Sequence, residues 1–183
     1  MKVLMVCTGN ICRSPMAEVM LQEEVARRGC HEIEVASAGT WAGFGNPAQP
    51  EAREVIRQRG VDLEGHRSRP VDPQELADAD LVVAMTSVHA RELRQLSDEV
   101  ATKMVLMKEF VEMEVDECPS SALDDRLKTL LAGKRPASRR ALDLDDPMGL
   151  PVFAYERAAK EIEVGVQRLA DLLCGSAPAQ ESA

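Results

Sequence analysis

The chain has 183 residues, which is enough for one domain around a single hydrophobic core and too few for two domains of ordinary size. Its composition, 45% hydrophobic and 29% charged, is that of a soluble protein, and no apolar run is long enough to span a membrane. The net charge of -9 argues against general nucleic-acid binding, which requires a basic surface.

Strand-like and helix-like segments alternate along the chain. Apolar runs typical of buried strands occupy residues 2–6, 33–36, 80–85 and 104–107. Helical periodicity predicts helices over residues 15–28, 50–59, 87–96 and 152–173, the first ending at Gly29 and the third capped by Ser87. This alternation predicts a single α/β domain of three layers, in which helices flank both faces of a parallel sheet.

The domain is expected to span residues 1–174, followed by a disordered tail at 175–183. Residues 112–144 break the alternation: they hold acidic residues, a helical candidate at 120–131 and a basic run at 134–140. We interpret this stretch as a surface insertion whose basic end is either solvated or attracts an acidic partner.

The cysteine pattern does not suggest a disulfide framework. The five cysteines are an odd number at irregular spacing, namely Cys7, Cys12, Cys30, Cys118 and Cys174. There is no CxxC pair, and the three histidines are scattered, so we expect no metal and no cofactor. The N-terminus lacks the succession of a signal peptide, which favours a cytoplasmic protein.

The chemistry-bearing segment lies between the first strand and the first helix. It reads Cys7, Thr8, Gly9, Asn10, Ile11, Cys12, Arg13 and Ser14. A loop at the carboxyl end of a strand that enters a helix N-terminus presents backbone N–H groups and the positive end of the helix dipole. Such a loop suits a phosphate dianion.

Cys7 and Arg13 are the candidate reactive groups of this loop. A thiolate is stabilised by a helix N-terminus and a nearby cation, so Cys7 is the expected nucleophile. Arg13 offers a planar fork of donors that matches phosphoryl oxygens. Ser14 is placed to donate its hydroxyl to the Cys7 sulfur, and Asn10 to brace the loop.

A phosphoenzyme route also requires a group that protonates the leaving oxygen and later activates water. The candidate is Asp146, in a turn that continues with Pro147, Met148 and Gly149. An Asp-Pro pair is also an ordinary turn signal, so it indicates an acid only together with the cysteine loop.

Taken together, these motifs resemble the low-molecular-weight protein tyrosine phosphatase family. The resemblance rests on VCTGNICRSP at residues 6–15, SAGT at 37–40, ADLV at 79–82, AMT at 84–86 and the late Asp-Pro. It implies a four-stranded parallel sheet, metal-free cysteinyl-phosphate catalysis and inhibition by phosphate or vanadate. Position by position, the family's nucleophile, phosphate-binding arginine and general acid fall on Cys7, Arg13 and Asp146. The substrate implied is a phosphorylated protein, and we expect a monomer or a weak homodimer.

The sequence also bears on which phosphorylated side chain is the substrate. Many tyrosine-specific members carry aromatic residues after Asp-Pro, where this chain has Met148 and Gly149. The related bacterial protein arginine phosphatases also lack that aromatic pair, but they typically carry Thr where this chain has Ile11. A branched apolar side chain leaves a guanidinium unmatched and tolerates a phenyl ring, so Ile11 favours phosphotyrosine. Trp41 is either an aromatic wall for the substrate or a packing residue.

Two further classes are weighed against a phosphatase. Related arsenate reductases use a similar loop with resolving cysteines, and Cys12 is either a redox partner of Cys7 or a small buried residue. A phosphate-binding module without turnover is the other alternative. The chain has Asp146 in addition to Cys7 and Arg13, which favours the phosphatase over both alternatives.

Overall fold

Four parallel strands form the centre of the protein, whose computed structural model describes residues 1–113, 122–133 and 140–175. The strands are β1 (Lys2–Cys7), β2 (Glu34–Gly39), β3 (Leu81–Ala84) and β4 (Met104–Leu106). Their order in the sheet is β2-β1-β3-β4, and every neighbouring pair is parallel. The predicted fold class is confirmed.

Eight helices surround this sheet within the described residues. They are α1 (Arg13–Arg27), α2 (Pro50–Arg57), α3 (Pro73–Asp78), α4 (Ser87–Leu96), α5 (Val100–Lys103), α6 (Glu109–Glu112), α7 (Leu123–Gly133) and α8 (Val152–Cys174). Helices α3, α5 and α6 were not predicted, because four to six residues are too few to show a helical period. The predicted cap of α4 is wrong by one residue: Thr86 caps the helix, since its hydroxyl accepts from the backbone N–H of His89.

Both faces of the sheet are buried, which is why its strands are almost continuously apolar. Along β1, Val3 and Met5 belong to the apolar cluster that α1 and α8 cover. Leu4 and Val6 belong to a second cluster, on the face covered by α4. The carboxyl ends of the strands remain accessible between these layers, and the loops that follow β1 and β3 meet there.

Helices α1 and α8 pack side by side and end at the same edge of the molecule. The Arg28 guanidinium joins them, donating to Oδ1 of Asp171 at 2.6 Å and to the carbonyl of Gly175 at 2.7 Å. The structure also contains a disulfide between Cys30 and Cys174, although the cysteine pattern did not suggest a disulfide framework. The sequence could not indicate this pair, because 144 residues separate the two cysteines and only the packing of the helices brings them together.

Part of the predicted insertion is an ordered helix. Helix α7 packs on α8, Leu130 is fully buried, and Arg126 donates to the carbonyl of Leu173 at 3.3 Å. Cys118, most of the basic run at 134–140 and the tail beyond residue 175 lie outside the described residues. Among the helices that are described, none has the length and hydrophobicity needed to cross a membrane.

Candidate active site

The loop between β1 and α1 holds the reactive residues. Cys7 is the last residue of β1, and α1 begins only six residues later at Arg13. Cys12 occupies the N-cap position without capping the helix through its side chain. The first N–H groups of this 15-residue helix therefore face the loop together with the positive end of the helix dipole.

Asn10 holds this loop in its curled form. Its backbone is left-handed, with φ of 52°, a conformation that asparagine tolerates better than most residues. Its buried side chain donates from Nδ2 to Ser14 Oγ at 3.0 Å and to Ser37 Oγ at 2.8 Å. Its Oδ1 accepts from the backbone N–H of Arg69 at 3.0 Å. Three separate segments therefore fix the loop from behind.

Gly39, at the end of β2, lets the loop lie directly against the sheet. A Cβ atom at Gly39 would lie 2.9 Å from the backbone nitrogen of Asn10 and 2.8 Å from the Cβ of Ala42. Any larger residue would push the loop away from its position. This explains why the second strand ends in a glycine.

The sulfur of Cys7 is buried and lies 3.0 Å from the hydroxyl oxygen of Ser14. Because Ser14 Oγ accepts a hydrogen bond from Asn10, its own proton can point to the sulfur or to the carbonyl of Ala38, 3.3 Å away. The hydroxyl is thus placed to stabilise a thiolate.

Arg13 is almost fully buried and forms the charged wall of the site. Its Nη1 donates to the carbonyl of Leu144 at 3.1 Å, and its Nη2 donates to Oδ2 of Asp146 at 2.6 Å. The Nε atom is buried and has no partner among the described residues. An unsatisfied buried donor beside the loop is suited to an anionic oxygen.

Asp146 reaches the site from the opposite side. Its side chain is half exposed, and its Oδ1 accepts from the backbone N–H of Met148 at 3.2 Å, which closes the turn over Pro147. Its neighbour Asp145 points away and pairs with Arg157 at 2.9 Å on the surface. The chain therefore presents one carboxylate of this pair to the cysteine loop.

A pocket of about 200 Å³ joins these groups, lined by Cys7, Thr8, Gly9, Ile11, Cys12, Arg13, Asp146 and Met148. Asn10 and Ser14 lie behind the loop, since both are completely buried. Trp41 is outside the pocket wall: its backbone donates to the carbonyl of Thr8 at 3.0 Å, while its ring is 76% exposed and bonds Glu92.

Cys12 has a different environment from Cys7. Its sulfur lies 3.8 Å from the hydroxyl of Tyr155 and 3.9 Å from the sulfur of Met148. Burial raises the pKa of the Cys12 thiol to about 12. Cys12 is therefore a neutral thiol at neutral pH, which makes it a poor attacking group.

Sequence reasoning missed His89 and Asp143. His89 is buried, and hydrogen bonds join its Nε2 to Thr8 Oγ1 at 2.8 Å and its Nδ1 to Thr86 Oγ1 at 2.9 Å. Burial, and secondarily the charge of Arg13, lowers the pKa of His89 to about 4. Asp143 accepts from both the backbone and the hydroxyl of Ser87. The only feature of the sequence that could have pointed to Asp143 is its position three residues before Asp146.

A second depression, of about 400 Å³, lies at the amino ends of β1 and β2 and is larger than the pocket. Two of its charged residues, Arg69 and Glu75, are paired with each other at 2.5 Å. Ligands of open α/β folds bind at the carboxyl ends of the strands, so the smaller pocket is the candidate active site. Within the described ranges, no group of three His, Cys, Asp or Glu side chains could hold a metal ion.

Comparison with known proteins gives the same family from sequence and from structure. Residues 2–118 match the family described as low molecular weight phosphotyrosine protein phosphatase. The chain is 31% identical to a protein-arginine-phosphatase of Geobacillus stearothermophilus, covering 94% of this chain and 95% of the relative. It is 46% identical to low molecular weight protein-tyrosine phosphatase A of Mycobacterium tuberculosis, covering 57% of this chain and 64% of the relative.

Among solved structures, the low molecular weight protein tyrosine phosphatase from T. tengcongensis is 34% identical, with a TM-score of 0.74. The match covers 93% of this chain and 98% of that protein. The likeness thus extends over nearly the whole of both chains.

Proposed function

The chain belongs to the low-molecular-weight phosphotyrosine protein phosphatase family, and we propose that it hydrolyses phosphotyrosine in proteins through a cysteinyl-phosphate intermediate. The observation that carries the proposal is the single pocket shared by Cys7, Arg13 and Asp146. A nucleophile, a phosphate-binding cation and a carboxyl group on a separate loop are the groups that this reaction requires.

In the first step, the Cys7 thiolate attacks phosphorus and the bond from phosphorus to the ester oxygen breaks. Loop N–H groups and the Arg13 guanidinium bind the phosphoryl oxygens, whose charge they stabilise in the transition state. The carboxyl of Asp146 gives its proton to the departing phenolate oxygen. The phosphoryl group binds Arg13 in place of Asp146, which frees that carboxyl for the proton transfer.

In the second step, the Asp146 carboxylate accepts a proton from water while the water oxygen attacks phosphorus. The bond from phosphorus to sulfur breaks, inorganic phosphate forms, and the Cys7 thiolate is regenerated. The Ser14 hydroxyl, 3.0 Å from the sulfur, stabilises the thiolate as the leaving group. The balance requires only water, so no cofactor takes part.

Apolar groups at the pocket favour an aryl substrate. Ile11 and Met148 form its wall, and Trp41, Phe44 and Phe153 are exposed on the segments that flank the loop. A phenyl ring gains contact area against such surfaces. A phosphoguanidinium would place polar N–H groups against Ile11 without a hydrogen-bond acceptor.

Phosphoarginine is the second candidate substrate, and a specific observation supports it. The relative from Geobacillus stearothermophilus that matches almost the entire chain is a protein-arginine-phosphatase. Hydrolysis of either substrate would use the same fold and the same loop. The choice between the two substrates therefore depends on the pocket wall.

The test compares turnover of a phosphotyrosine peptide and a phosphoarginine peptide by the wild type, Ile11→Thr and Ile11→Val, with reductant and without metal. Valine has the shape of threonine without its hydroxyl, so it separates polarity from size. We expect the wild type and Ile11→Val to prefer phosphotyrosine and Ile11→Thr to gain activity on phosphoarginine. A wild type that prefers phosphoarginine would overturn the tyrosine assignment, and hydrolysis of neither peptide would overturn the proposed reaction.

A further inference from the structure

The segment that carries Asp146 is fixed to the rest of the site at successive residues. The backbone N–H of Leu144 donates to the carbonyl of Met85, the residue that follows β3, at 2.9 Å. The carbonyl of Leu144 accepts from Arg13. One residue earlier, the Asp143 side chain makes two hydrogen bonds to Ser87. The position of Asp146 therefore depends on contacts that lie upstream of it.

The Asp143 contact is a two-point attachment to the first turn of α4. Its Oδ1 accepts from the backbone N–H of Ser87 at 2.6 Å, and its Oδ2 accepts from Ser87 Oγ at 3.0 Å. A carboxylate at the N-terminus of a ten-residue helix is favoured by the helix dipole. Two bonds from one carboxylate fix orientation as well as distance.

The same turn of α4 also contacts the cysteine loop. His89, two residues after Ser87, hydrogen-bonds Thr8, the residue that follows the nucleophile. Residues 86–89 thus touch the loop that carries Cys7 through His89, and the loop that carries Asp146 through Ser87. A rigid element in contact with both loops sets the distance between the groups that they carry.

We propose that Asp143 is a positioning residue for the general acid: by binding Ser87, it holds Asp146 over the Cys7 loop. The proposal rests on the proposed function, since it assigns Asp143 a role through Asp146. Among the described residues, Asp145 makes no comparable contact with the site, and it pairs with Arg157 on the surface. It therefore provides a matched control one residue from the acid.

The test measures kcat/KM, which covers the steps up to departure of the leaving group, for a substrate with a good leaving group, para-nitrophenyl phosphate, and one with a poor leaving group, phenyl phosphate. The rate at which a leaving group departs depends strongly on its protonation only when it is a poor leaving group. We expect Asp143→Ala to lower kcat/KM for phenyl phosphate about tenfold or more, and to change kcat/KM for para-nitrophenyl phosphate much less, because misplacement by about 1 Å costs up to about 10²-fold. Asp145→Ala should preserve the wild-type ratio of the two rates.

Asp143→Asn is the conservative variant. Its amide oxygen can accept from the Ser87 N–H and its amide nitrogen can donate to the Ser87 hydroxyl, so we expect the ratio of rates to return most of the way to the wild-type value. Ser87→Ala removes one of the two bonds by a small change, and it should give a partial loss in the same direction. That variant keeps the test decisive if Asp143→Ala does not fold.

Asp146→Ala separates failure of this inference from failure of the proposed function. If Asp146→Ala leaves the ratio of rates unchanged, Asp146 is not the acid and the proposed function fails. If Asp146→Ala changes the ratio but Asp143→Ala and Ser87→Ala slow both substrates equally, the proposed function stands and the role of Asp143 is refuted. In the double variant that combines Asp143→Ala with Asp146→Ala, the ratio of the two rates should equal that of Asp146→Ala alone.

Discussion

Oδ2 of Asp146 lies 2.6 Å from Nη2 of Arg13, so these two charged side chains of the site are paired with each other. The pair is asymmetric, since the Arg13 side chain is 4% exposed and that of Asp146 is 50% exposed. A phosphoryl dianion that takes the Nη2 donor of Arg13 therefore displaces the Asp146 carboxylate. The contact between Arg13 and Asp146 therefore opposes binding of the phosphoryl group. When it breaks, Arg13 binds the phosphoryl oxygens and Asp146 is free to transfer a proton.

Asp146→Ala should change binding and turnover in opposite directions. Removal of the carboxylate ends its competition for Arg13, so we expect inorganic phosphate to inhibit at about threefold to fivefold lower concentration, as for a partly exposed ion pair. Turnover of phenyl phosphate should fall by about 10²-fold or more, because its leaving group then departs without a proton. Inhibition constants and kcat from steady-state assays check both effects. An unchanged inhibition constant would show that the Arg13 contact does not compete with phosphate.

Cys7→Ser should abolish turnover while phosphate or vanadate still binds. The loop N–H groups and Arg13 are unchanged by the substitution, but a serine hydroxyl does not ionise near neutral pH and is a weak nucleophile. Binding is measured as the rise in melting temperature on addition of vanadate, and turnover by release of phosphate. Cys12→Ser is the matched control and should lose far less activity. A Cys7→Ser protein that still turns over substrate would refute the phosphocysteine route.

The cysteine loop was predictable because its residues are consecutive and its flanking elements are regular. Pro15 and the apolar periodicity of α1 predict the helix, and the run from Val3 to Val6 predicts the strand. The alternation of such elements is sufficient for the parallel sheet. All of this information is local in the chain.

The contacts that could not be predicted from the sequence join residues that are far apart in the chain. Asp143 and Ser87 are 56 positions apart, and His89 and Thr8 are 81 apart. Each of these residues also has an ordinary local explanation, as a turn residue or a surface polar group. Only the packing of α4 beside the ends of β1 and β3 brings them together, and no motif spacing encodes that packing.

Trp41→Ala should weaken binding of aryl substrates without destabilising the fold. The backbone of Trp41 bonds Thr8 while its ring is exposed outside the pocket wall, so the ring is expected to contact the peptide around the phosphotyrosine and contributes little to the core. We expect KM for a phosphotyrosine peptide to rise about threefold to tenfold, the value of an aromatic contact of about 0.5–1.5 kcal/mol, with kcat nearly unchanged. Trp41→Phe should retain most of the affinity. Phe44→Ala, on the same loop and equally exposed, tests whether any aromatic residue there has this effect; a lower melting temperature in Trp41→Ala would indicate packing instead.

His89→Gln should remove a pH-dependent loss of stability. The pKa of His89 is lowered from 6.5 to about 4 in the folded protein, so the unfolded chain binds the additional proton between these two values. Stability therefore falls as the pH decreases from about 6.5 to 4, by up to about 3 kcal/mol at the lower end. Glutamine does not titrate and can keep a hydrogen bond to Thr8 or Thr86. The free energy of unfolding, measured by urea denaturation at several pH values, should decrease less steeply in His89→Gln than in the wild type. The difference between the two proteins cancels every titrating group that they share, so parallel curves between pH 7 and pH 4 would contradict the assignment of a neutral, buried imidazole at the junction of α4 and the cysteine loop.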